Sequence, residues 1–227
     1  MKNSLCLFVL SVVFFLTGCA PVDSLNPLYT SKDEVFDAAL LGQWGSDKDG
    51  CNFAKGEDGG YEITLTARDD KAGQVSSTSF EAHLLELQGH RFLDMSPKLW
   101  VTIPQTMTLA PGLVNVGLAA YVEIAPKQSE DGFELRMLTA HNFYKVILEN
   151  QGKTLRLVAL DNSWVEKEIE SGNLNIGHQW TEPDHKSVVL TAATHELQQL
   201  VLDHINDEQA FSGTTTIERS GSPTPNR

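Results

Sequence analysis

Short runs that alternate apolar with polar residues recur along most of the chain, and they constrain the fold more than any other feature of the sequence. Residues 61–68, YEITLTAR, give the clearest example. Side chains of a strand point alternately to its two faces, so such a run is typical of a strand with one buried face. Further strands are predicted at residues 42–44, 80–87, 91–95, 133–137, 143–148, 154–160 and 187–190. We therefore expect a mainly β protein.

Two runs depart from simple alternation. The longest, at residues 114–124, contains Gly117, which is expected to kink a single strand that Pro126 ends. In the run at 80–87, Leu85 directly follows Leu84, so the apolar residues change phase. Such a slip predicts a β-bulge or a strong bend.

Turn-forming residues join several neighbouring runs. They are Gln88-Gly89 before His90, Asp131-Gly132, and the tetrapeptide NQGK at 150–153. Connections this short join antiparallel strands. The runs together predict an antiparallel meander, either closed into a barrel or strongly curved.

Three segments have helical patterns. Ser31 and Glu34 form a capping-box pattern before apolar residues at 35–40, which predicts a short N-terminal helix. Ser163 and Glu166 predict a second short helix in the same way. Apolar residues spaced by three and four positions within 192–206 predict a late amphipathic helix of about four turns. Helices at the ends of the sheet complete the expected architecture.

The N-terminus has the pattern of an export signal. Residues 5–16 are apolar except for Ser11, a length that suits the central region of a signal peptide and is too short to span a bilayer. Leu16-Thr17-Gly18-Cys19 follows, and it resembles the lipobox of bacterial lipoproteins at all four positions. The resemblance implies cleavage before Cys19, a diacylglyceryl thioether on its sulfur and acylation of its new amino group. With Ala20 next, it also implies delivery to the outer membrane of a Gram-negative host.

Composition divides the chain into four parts. Residues 1–18 are the predicted lipoprotein signal peptide, and 19–30 the lipidated N-terminus with a tether, since 20–30 contain two prolines and no period. Residues 31–212 are predicted to form a single globular β-rich domain. Residues 213–227 are rich in Gly, Ser, Thr and Pro, which predicts a flexible C-terminal tail.

A second resemblance involves the start of the predicted domain. Phe36-Asp37 followed by Leu41-Gly42-Gln43-Trp44 is similar to the first motif of the lipocalin and wider calycin families. In those families a Gly-x-Trp opens the first strand, and the Trp closes one end of an eight-stranded barrel. The resemblance also implies a helix at 192–206 and one more strand at 214–218. It covers a handful of residues, and another family of meander barrels fits equally well.

Charge and cysteine content exclude several functions. The chain has 17 Lys and Arg against 30 Asp and Glu, for a net charge of −13, so it lacks the basic face that a nucleic-acid partner requires. Of three cysteines, Cys6 leaves with the signal peptide and Cys19 takes the lipid. Cys51 then has no disulfide partner and is expected to be a small buried residue or an incidental thiol.

No catalytic residue, cofactor or metal ligand is predicted. His195-Glu196 would begin a zincin motif, but Gln199 stands where the second histidine is needed. The acidic loop at 47–60 lacks the first and last ligands of a calcium loop, which favours a solvated connection. The histidines are expected to be surface or capping residues, and the tryptophans core residues: His83, His90, His141, His178 and His185; Trp44, Trp100, Trp164 and Trp180.

His83, His90 and Asp94 flank one predicted hairpin. His83 alternates out of phase with Phe80, Ala82 and Leu84, so it is expected to face solvent.

Three functions agree with these features. The first is a non-enzymatic, lipid-anchored binding module of the cell envelope, which takes a small apolar ligand in its barrel or binds an envelope partner. The second is a structural or interaction lipoprotein with a packed interior, filled by the bulky residues of 114–124 and 133–137. The third is an envelope hydrolase whose residues come from distant positions.

Overall fold

Strands dominate the structure, a computed structural model that describes residues 20–69, 74–98, 112–117, 120–126, 133–181 and 187–220. The mainly β prediction is confirmed. The described strands are β1 Asp23–Ser24, β2 Glu34–Val35, β3 Gly42–Gly45, β4 Gly50–Lys55, β5 Tyr61–Asp69, β6 Gln74–Leu87, β7 His90–Pro97, β8 Gly112–Gly117, β9 Ala120–Pro126, β10 Phe133–Thr139, β11 His141–Glu149, β12 Thr154–Ala159, β13 His178–Trp180, β14 Val188–Leu190 and β15 Gly213–Glu218.

Three helices accompany the strands in the described part of the chain: a 3₁₀ helix Ala38–Leu40, α1 Asn162–Glu170 and α2 Thr194–Asp203. Asp161 begins α1 by accepting hydrogen bonds from the backbone of Ser163 and Trp164, so the cap lies two residues before the predicted one. The late amphipathic helix is confirmed, and α2 buries Leu197, Leu200 and Val201. None of the helices within the described ranges is long and apolar enough to cross a bilayer.

The described strands form two sheets. The large one has the order β13-β14-β1-β11-β7-β6-β5-β4-β3, with β12 on β11, β15 on β12 and β2 on β6. Its pairs are antiparallel except β1 with β14. Strands β8, β9 and β10 form a separate antiparallel sheet. The predicted antiparallel meander is therefore present from β3 to β7, within a sheet that is mixed overall.

A series of neighbouring strands, β3–β7, β11, β12 and β15, has its first and last members in contact at one point. Trp44 of β3 forms an isolated antiparallel bridge with Arg219, just after β15. The backbone N–H of Ser220 donates to the carbonyl of Gln43 at 3.1 Å. Beyond these bonds no continuous ladder joins β3 to β15 among the described residues, so the large sheet is not closed.

Two hydrophobic cores lie on opposite faces of this sheet. The first, which we call the strand core, is made by side chains of β3–β7, β11, β12 and β15, together with Leu40 and Leu41. The second, the helix core, lies between the sheet and both α-helices; it includes Leu85, Phe92, Trp164 and Leu197. The sheet is therefore buried on both faces where the cores overlap.

Burial on both faces explains the change of phase in β6. Its ladder with β7 runs without a register shift from Phe80 opposite Pro97 to Leu87 opposite His90, so the predicted bulge is wrong. Leu84 packs in the strand core, whereas Leu85 packs in the helix core. Adjacent apolar residues are expected where both faces of a strand are covered.

Residues 31–40 do not form the predicted helix. Thr30 Oγ1 donates to Asp33 Oδ2 at 2.6 Å and holds a turn that leads into β2. The carboxylate of Glu34 contacts His83 of β6 instead of capping a backbone N–H at Ser31. Only the 3₁₀ helix follows, with Asp37 as its cap. The capping-box pattern therefore fails at Glu34, whose side chain has a partner on β6.

The predicted tether is also wrong. Val22 and Leu28 are fully buried, and β1 lies between β11 and β14. We call residues 20–35 the N-terminal strap, since they run across the sheet and belong to the folded domain. The apolar residues of this segment are too irregularly spaced to show a period, although Val22 and Leu28 are fully buried.

The C-terminal boundary at 213 is wrong for a similar reason. Strand β15 pairs with β12 along its whole length, from Gly213 opposite Ala159 to Glu218 opposite Thr154. The extra strand that the lipocalin resemblance implied at 214–218 is therefore confirmed. Residues 221–227 of the predicted tail lie outside the described residues, as do the predicted signal peptide 1–18 and Cys19.

The long run at 114–124 is a hairpin instead of one kinked strand. Strands β8 and β9 pair antiparallel, with Gly117 opposite Ala120. Their sheet with β10 is separate from the large one, so the bulky residues expected in the interior do not belong to the meander. The turn predicted at Asp131-Gly132 lies outside the described residues.

The other two predicted turns are confirmed. Gln88 and Gly89 both have positive φ, 51° and 82°, which is typical of the tight turn that joins β6 to β7. Residues 150–153 join β11 to β12.

Candidate functional site

A cluster of polar side chains lies where the N-terminal strap crosses β6, β7 and β11. We call it the histidine cluster; its members are Tyr29, Glu34, Glu81, His83, Asp94 and His141. Tyr29 stacks on His83 with ring centroids 4.0 Å apart, and its ring meets that of His141 edge-on at 6.5 Å. The strap thus brings together two histidines that are 58 positions apart.

Asp94 is the most buried charged residue of the cluster, with 1% of its surface exposed. Its Oδ1 lies 2.7 Å from Nδ1 of His141, and its Oδ2 accepts a hydrogen bond of 2.6 Å from the backbone N–H of Leu28. Both carboxylate oxygens therefore have partners, as burial of such a group requires.

His83 lies directly opposite Asp94 in the β6–β7 ladder. Its Nδ1 is 2.6 Å from Oε1 of Glu34, and its Nε2 is 3.4 Å from Oε1 of Glu81. His83 is 7% exposed, so the expectation that it faces solvent is wrong. Tyr29 and Glu34 of the strap cover the face of β6 that the alternation pattern assigned to water.

Burial raises the pKa of the Tyr29 phenol above its ordinary value, and the carboxylates of Asp94, Glu81 and Glu34 raise it further. The phenol therefore stays protonated at neutral pH. It acts as a flat, uncharged ring between the histidines, and it is not an activated nucleophile.

The cavity beside His83 is small. It is lined by Gly56, Glu57, Asp58, Gly60, Tyr61, Glu81, His83 and Lys98, and its volume is about 50 Å³. Pockets for small molecules hold roughly 300–1,000 Å³, whereas this volume suits one or two waters. A histidine with a carboxylate can orient a general base, but the cavity beside His83 is smaller than a pocket for a small molecule.

The contacts of the cluster fasten the strap to the sheet. Leu28, Tyr29 and Glu34 belong to the strap, and their partners Asp94 and His83 belong to the sheet. We therefore interpret the histidine cluster as a structural clasp.

Helix α2 holds the strap from the other side. Gln198 Nε2 donates to the carbonyl of Leu28 and to Asp33 Oδ2, both at 2.9 Å. Asn26 Nδ2 donates to the carbonyl of Ala192 at 2.9 Å. The strap is thus fixed between α2 and the sheet by directed hydrogen bonds as well as by apolar packing.

The remaining histidines lie apart from the cluster. His90 is exposed at the β6–β7 turn, and His178 Nδ1 is 2.8 Å from the carbonyl of Ile176. His195 is exposed on α2, where Gln199 Nε2 donates to Asp203 Oδ1. No group of three or more His, Cys, Asp or Glu in the described part of the chain is placed to hold a metal ion. His185 and Trp100 lie outside the described residues.

The acidic segment 47–60 is not a single loop: strand β4 runs through it, between the β3–β4 connection and the β4–β5 connection. Asp49 Oδ1 accepts a hydrogen bond of 3.1 Å from the backbone N–H of Arg68, so its carboxylate is used within the protein. A side chain at Gly50 would collide with the carbonyl oxygens of Trp44 and Ser46. The absence of a side chain at Gly50 therefore lets β3 and β4 approach closely at this turn.

Cys51 lies inside the strand core, which agrees with the first of its two expected roles, that of a small buried residue. Burial raises the pKa of its thiol to about 12. The thiolate is the reactive form, so this cysteine is inert toward alkylating reagents near neutral pH.

A second group of polar contacts, made mainly by Arg219, lies where β3 meets the end of β15. The Arg219 guanidinium lies 4.1 Å from the centroid of the Trp44 ring, and Trp44 Nε1 donates to the carbonyl of Leu40 at 2.8 Å. Arg219 also donates to the carbonyls of Leu41 at 2.8 Å and Gly152 at 3.0 Å, and to that of Ala39. One arginine thereby connects the 3₁₀ helix, β3 and the β11–β12 turn.

Comparison with protein-family models, with curated proteins and with solved structures finds no match to this chain.

Proposed function

We propose that this chain is a lipid-anchored protein of the bacterial cell envelope, attached through acyl chains on Cys19 and delivered to the outer membrane. The lipobox at 16–19, the apolar run before it and Ala20 after it support the proposal. The domain is non-enzymatic and acts as an interaction module toward an envelope partner. The histidine cluster supports this role, since its polar groups bind one another and the cavity beside His83 is smaller than a pocket for a small molecule.

The finer fold that we propose is an eight-stranded meander barrel of the lipocalin or calycin kind. Its strands are β3–β7, β11, β12 and β15, which are consecutive neighbours. Trp44 and Arg219 close it where β3 meets β15, at the end that the Gly-x-Trp resemblance implies.

The observation that carries the functional proposal is the filling of the strand core. All eight strands contribute to it, with aromatic rings among the largest side chains: Trp44, Phe53, Tyr61, Phe80 and Tyr144. Trp44 and Tyr61 are almost fully buried. A lipocalin-type carrier needs an open interior, whereas these rings occupy the space that a ligand would take. The packed interaction lipoprotein is thus favoured over the ligand carrier.

Replacement of Cys19 by alanine tests the anchor. The variant should lose palmitate labelling and move from the membrane to the soluble fraction, because two or three acyl chains are enough to hold a protein to a bilayer. Cys51→Ala is the matched control, and it should keep both the label and the membrane association. Membrane association of Cys19→Ala equal to that of the control would refute the anchor.

Native mass spectrometry of the Cys19→Ala protein tests the packed interior. We expect the mass of the polypeptide alone, and a melting temperature that fatty acids and phospholipids leave unchanged. A lipid-sized mass that co-purifies, together with a rise in melting temperature when that lipid is added back, would favour the carrier instead.

A further inference from the structure

The first residues of the strap are bound into the domain from Ala20 onward. The carbonyl of Ala20 accepts a hydrogen bond of 3.0 Å from the backbone N–H of Asn162. Pro21 forms an isolated bridge with Asp161, and the N–H of Val22 donates to the carbonyl of Leu160 at 2.9 Å. Each of these three residues therefore has a fixed place beside the start of α1.

The following residues of the strap strengthen this attachment. Asn142 Nδ2 donates to the carbonyl of Val22 at 3.1 Å and to Asp23 Oδ1 at 2.6 Å. Strand β1 is paired on both sides, and the N–H of Leu25 donates to the carbonyl of Leu190 at 2.8 Å. To free this segment, the protein would have to break these bonds and expose the buried side chain of Val22.

The attachment leaves no slack between the domain and the lipid. Cys19 directly precedes Ala20, so their Cα atoms are about 3.8 Å apart across a trans peptide bond. A flexible segment over 20–30 would have allowed a reach of about 36 Å. We infer that the domain rests directly on the bilayer that carries its acyl chains, with the end formed by Ala20, Leu160 and the start of α1 against the lipid headgroups. This inference rests on the proposed lipidation of Cys19.

The contact is polar. Ser163 and Ser212 are exposed at this end, and Ser212 Oγ donates to Asp161 Oδ2. Hydroxyl groups suit the hydrated headgroup layer, while the acyl chains supply the affinity. The surface therefore touches the bilayer at the level of the headgroups and does not enter the hydrocarbon.

The β11–β12 turn lies at the end of β12 opposite to the proposed membrane contact. Strand β12 runs from Thr154, beside this turn, toward Leu160, beside Val22. Six residues at about 3.3 Å each separate the two ends by about 20 Å. Gln151 is exposed in the turn, which makes it a suitable far probe for Ser163 as the near probe.

The test compares two variants of the lipidated protein, each with one fluorophore, placed at the near end in the first variant and at the far end in the second. Ser163→Cys and Gln151→Cys are labelled through a maleimide; Cys51 is buried with a raised pKa, and Cys19 is blocked by its lipid. The proteins are reconstituted into vesicles of phosphatidylethanolamine and phosphatidylglycerol that carry nitroxide-labelled headgroups. We expect several-fold stronger quenching at position 163 than at position 151.

The matched control restores a tether. An insertion of about twelve residues, one Ala followed by Gly and Ser, directly after Cys19 leaves Ala20 bonded to Asn162 and gives a root-mean-square reach of about 19 Å. With this insertion, quenching at position 163 should fall to the level at position 151.

Two outcomes overturn the inference in distinguishable ways. If the protein incorporates palmitate and binds vesicles, but both positions are quenched equally or position 151 more strongly, the proposed orientation is wrong while the lipid anchor stands. If the protein incorporates no palmitate and does not bind vesicles, the lipid anchor itself is wrong, and the orientation falls with it.

Discussion

Replacing Asp94 with alanine should lower the free energy of unfolding by about 3–5 kcal/mol, because one partner of a buried polar network is removed while the others stay. The variant leaves the N–H of Leu28 and Nδ1 of His141 without their acceptor in a buried place. Domains of this size are stable by about 5–15 kcal/mol, so the loss is a large fraction of the total.

Urea or guanidinium unfolding measures this change, with two further variants for comparison. Asp94→Asn keeps an oxygen that can accept from Leu28 and should lose less than Asp94→Ala. Asp203→Ala removes an exposed aspartate near the end of α2, whose Oδ1 accepts from Gln199, and should change stability by about 0.5 kcal/mol or less. If Asp94→Ala behaves like Asp203→Ala, the histidine cluster is not a clasp.

Replacing Trp44 with alanine should also lower the free energy of unfolding by about 3–5 kcal/mol. Trp44 is fully buried in the strand core, and its removal leaves a cavity that the surrounding strands can fill only in part. The variant also loses the hydrogen bond to Leu40 and the contact with the Arg219 guanidinium. Both contacts lie where β3 meets β15.

Two further variants, Trp44→Phe and Trp180→Phe, separate the effect of core packing on stability from the effect of the contacts that Trp44 makes with Leu40 and Arg219. Trp44→Phe keeps an aromatic ring but loses the bond to Leu40, so its destabilisation should lie between those of Trp44→Ala and Trp180→Phe. Trp180 is only partly buried and serves as the control. Hydrogen exchange adds a local readout: the N–H of Ser220, which bonds to Gln43, should exchange faster in Trp44→Ala. Unchanged exchange there would contradict the role of Trp44 in joining the two strands.

The alternation of apolar and polar residues predicts most strands of the meander, because one face of each strand is buried and the other is at least partly exposed to solvent. The pattern misleads where both faces of a strand are buried, as at Leu84 and Leu85. Adjacent apolar residues then face opposite cores, and the change of phase does not indicate a bulge. The pattern also could not show that the run at 114–124 is folded back on itself, because both strands of a hairpin alternate in the same way.

The histidine cluster was only partly accessible from the sequence. The sequence pattern placed His83 and Asp94 on one hairpin, and the ladder shows that they lie directly opposite each other. One signal for burial was present, since His83 has the same parity as Leu85 and Leu87. Tyr29 and Glu34 could not be assigned, because no local pattern tells which distant segment will cover a given face of a sheet.

The parallel pairing of β1 with β14 sets the order in which parts of the fold can form. Asp23 pairs with Val189, and Asn26 donates to a carbonyl 166 positions further along the chain. The strap therefore has no complete binding site until almost the whole chain has emerged. Contacts between residues so far apart in sequence form late, since closing a long loop is entropically costly. With the proposed lipidation of Cys19, the modifying enzyme would act before the strap docks, and docking of the strap would complete the fold after the lipid is attached.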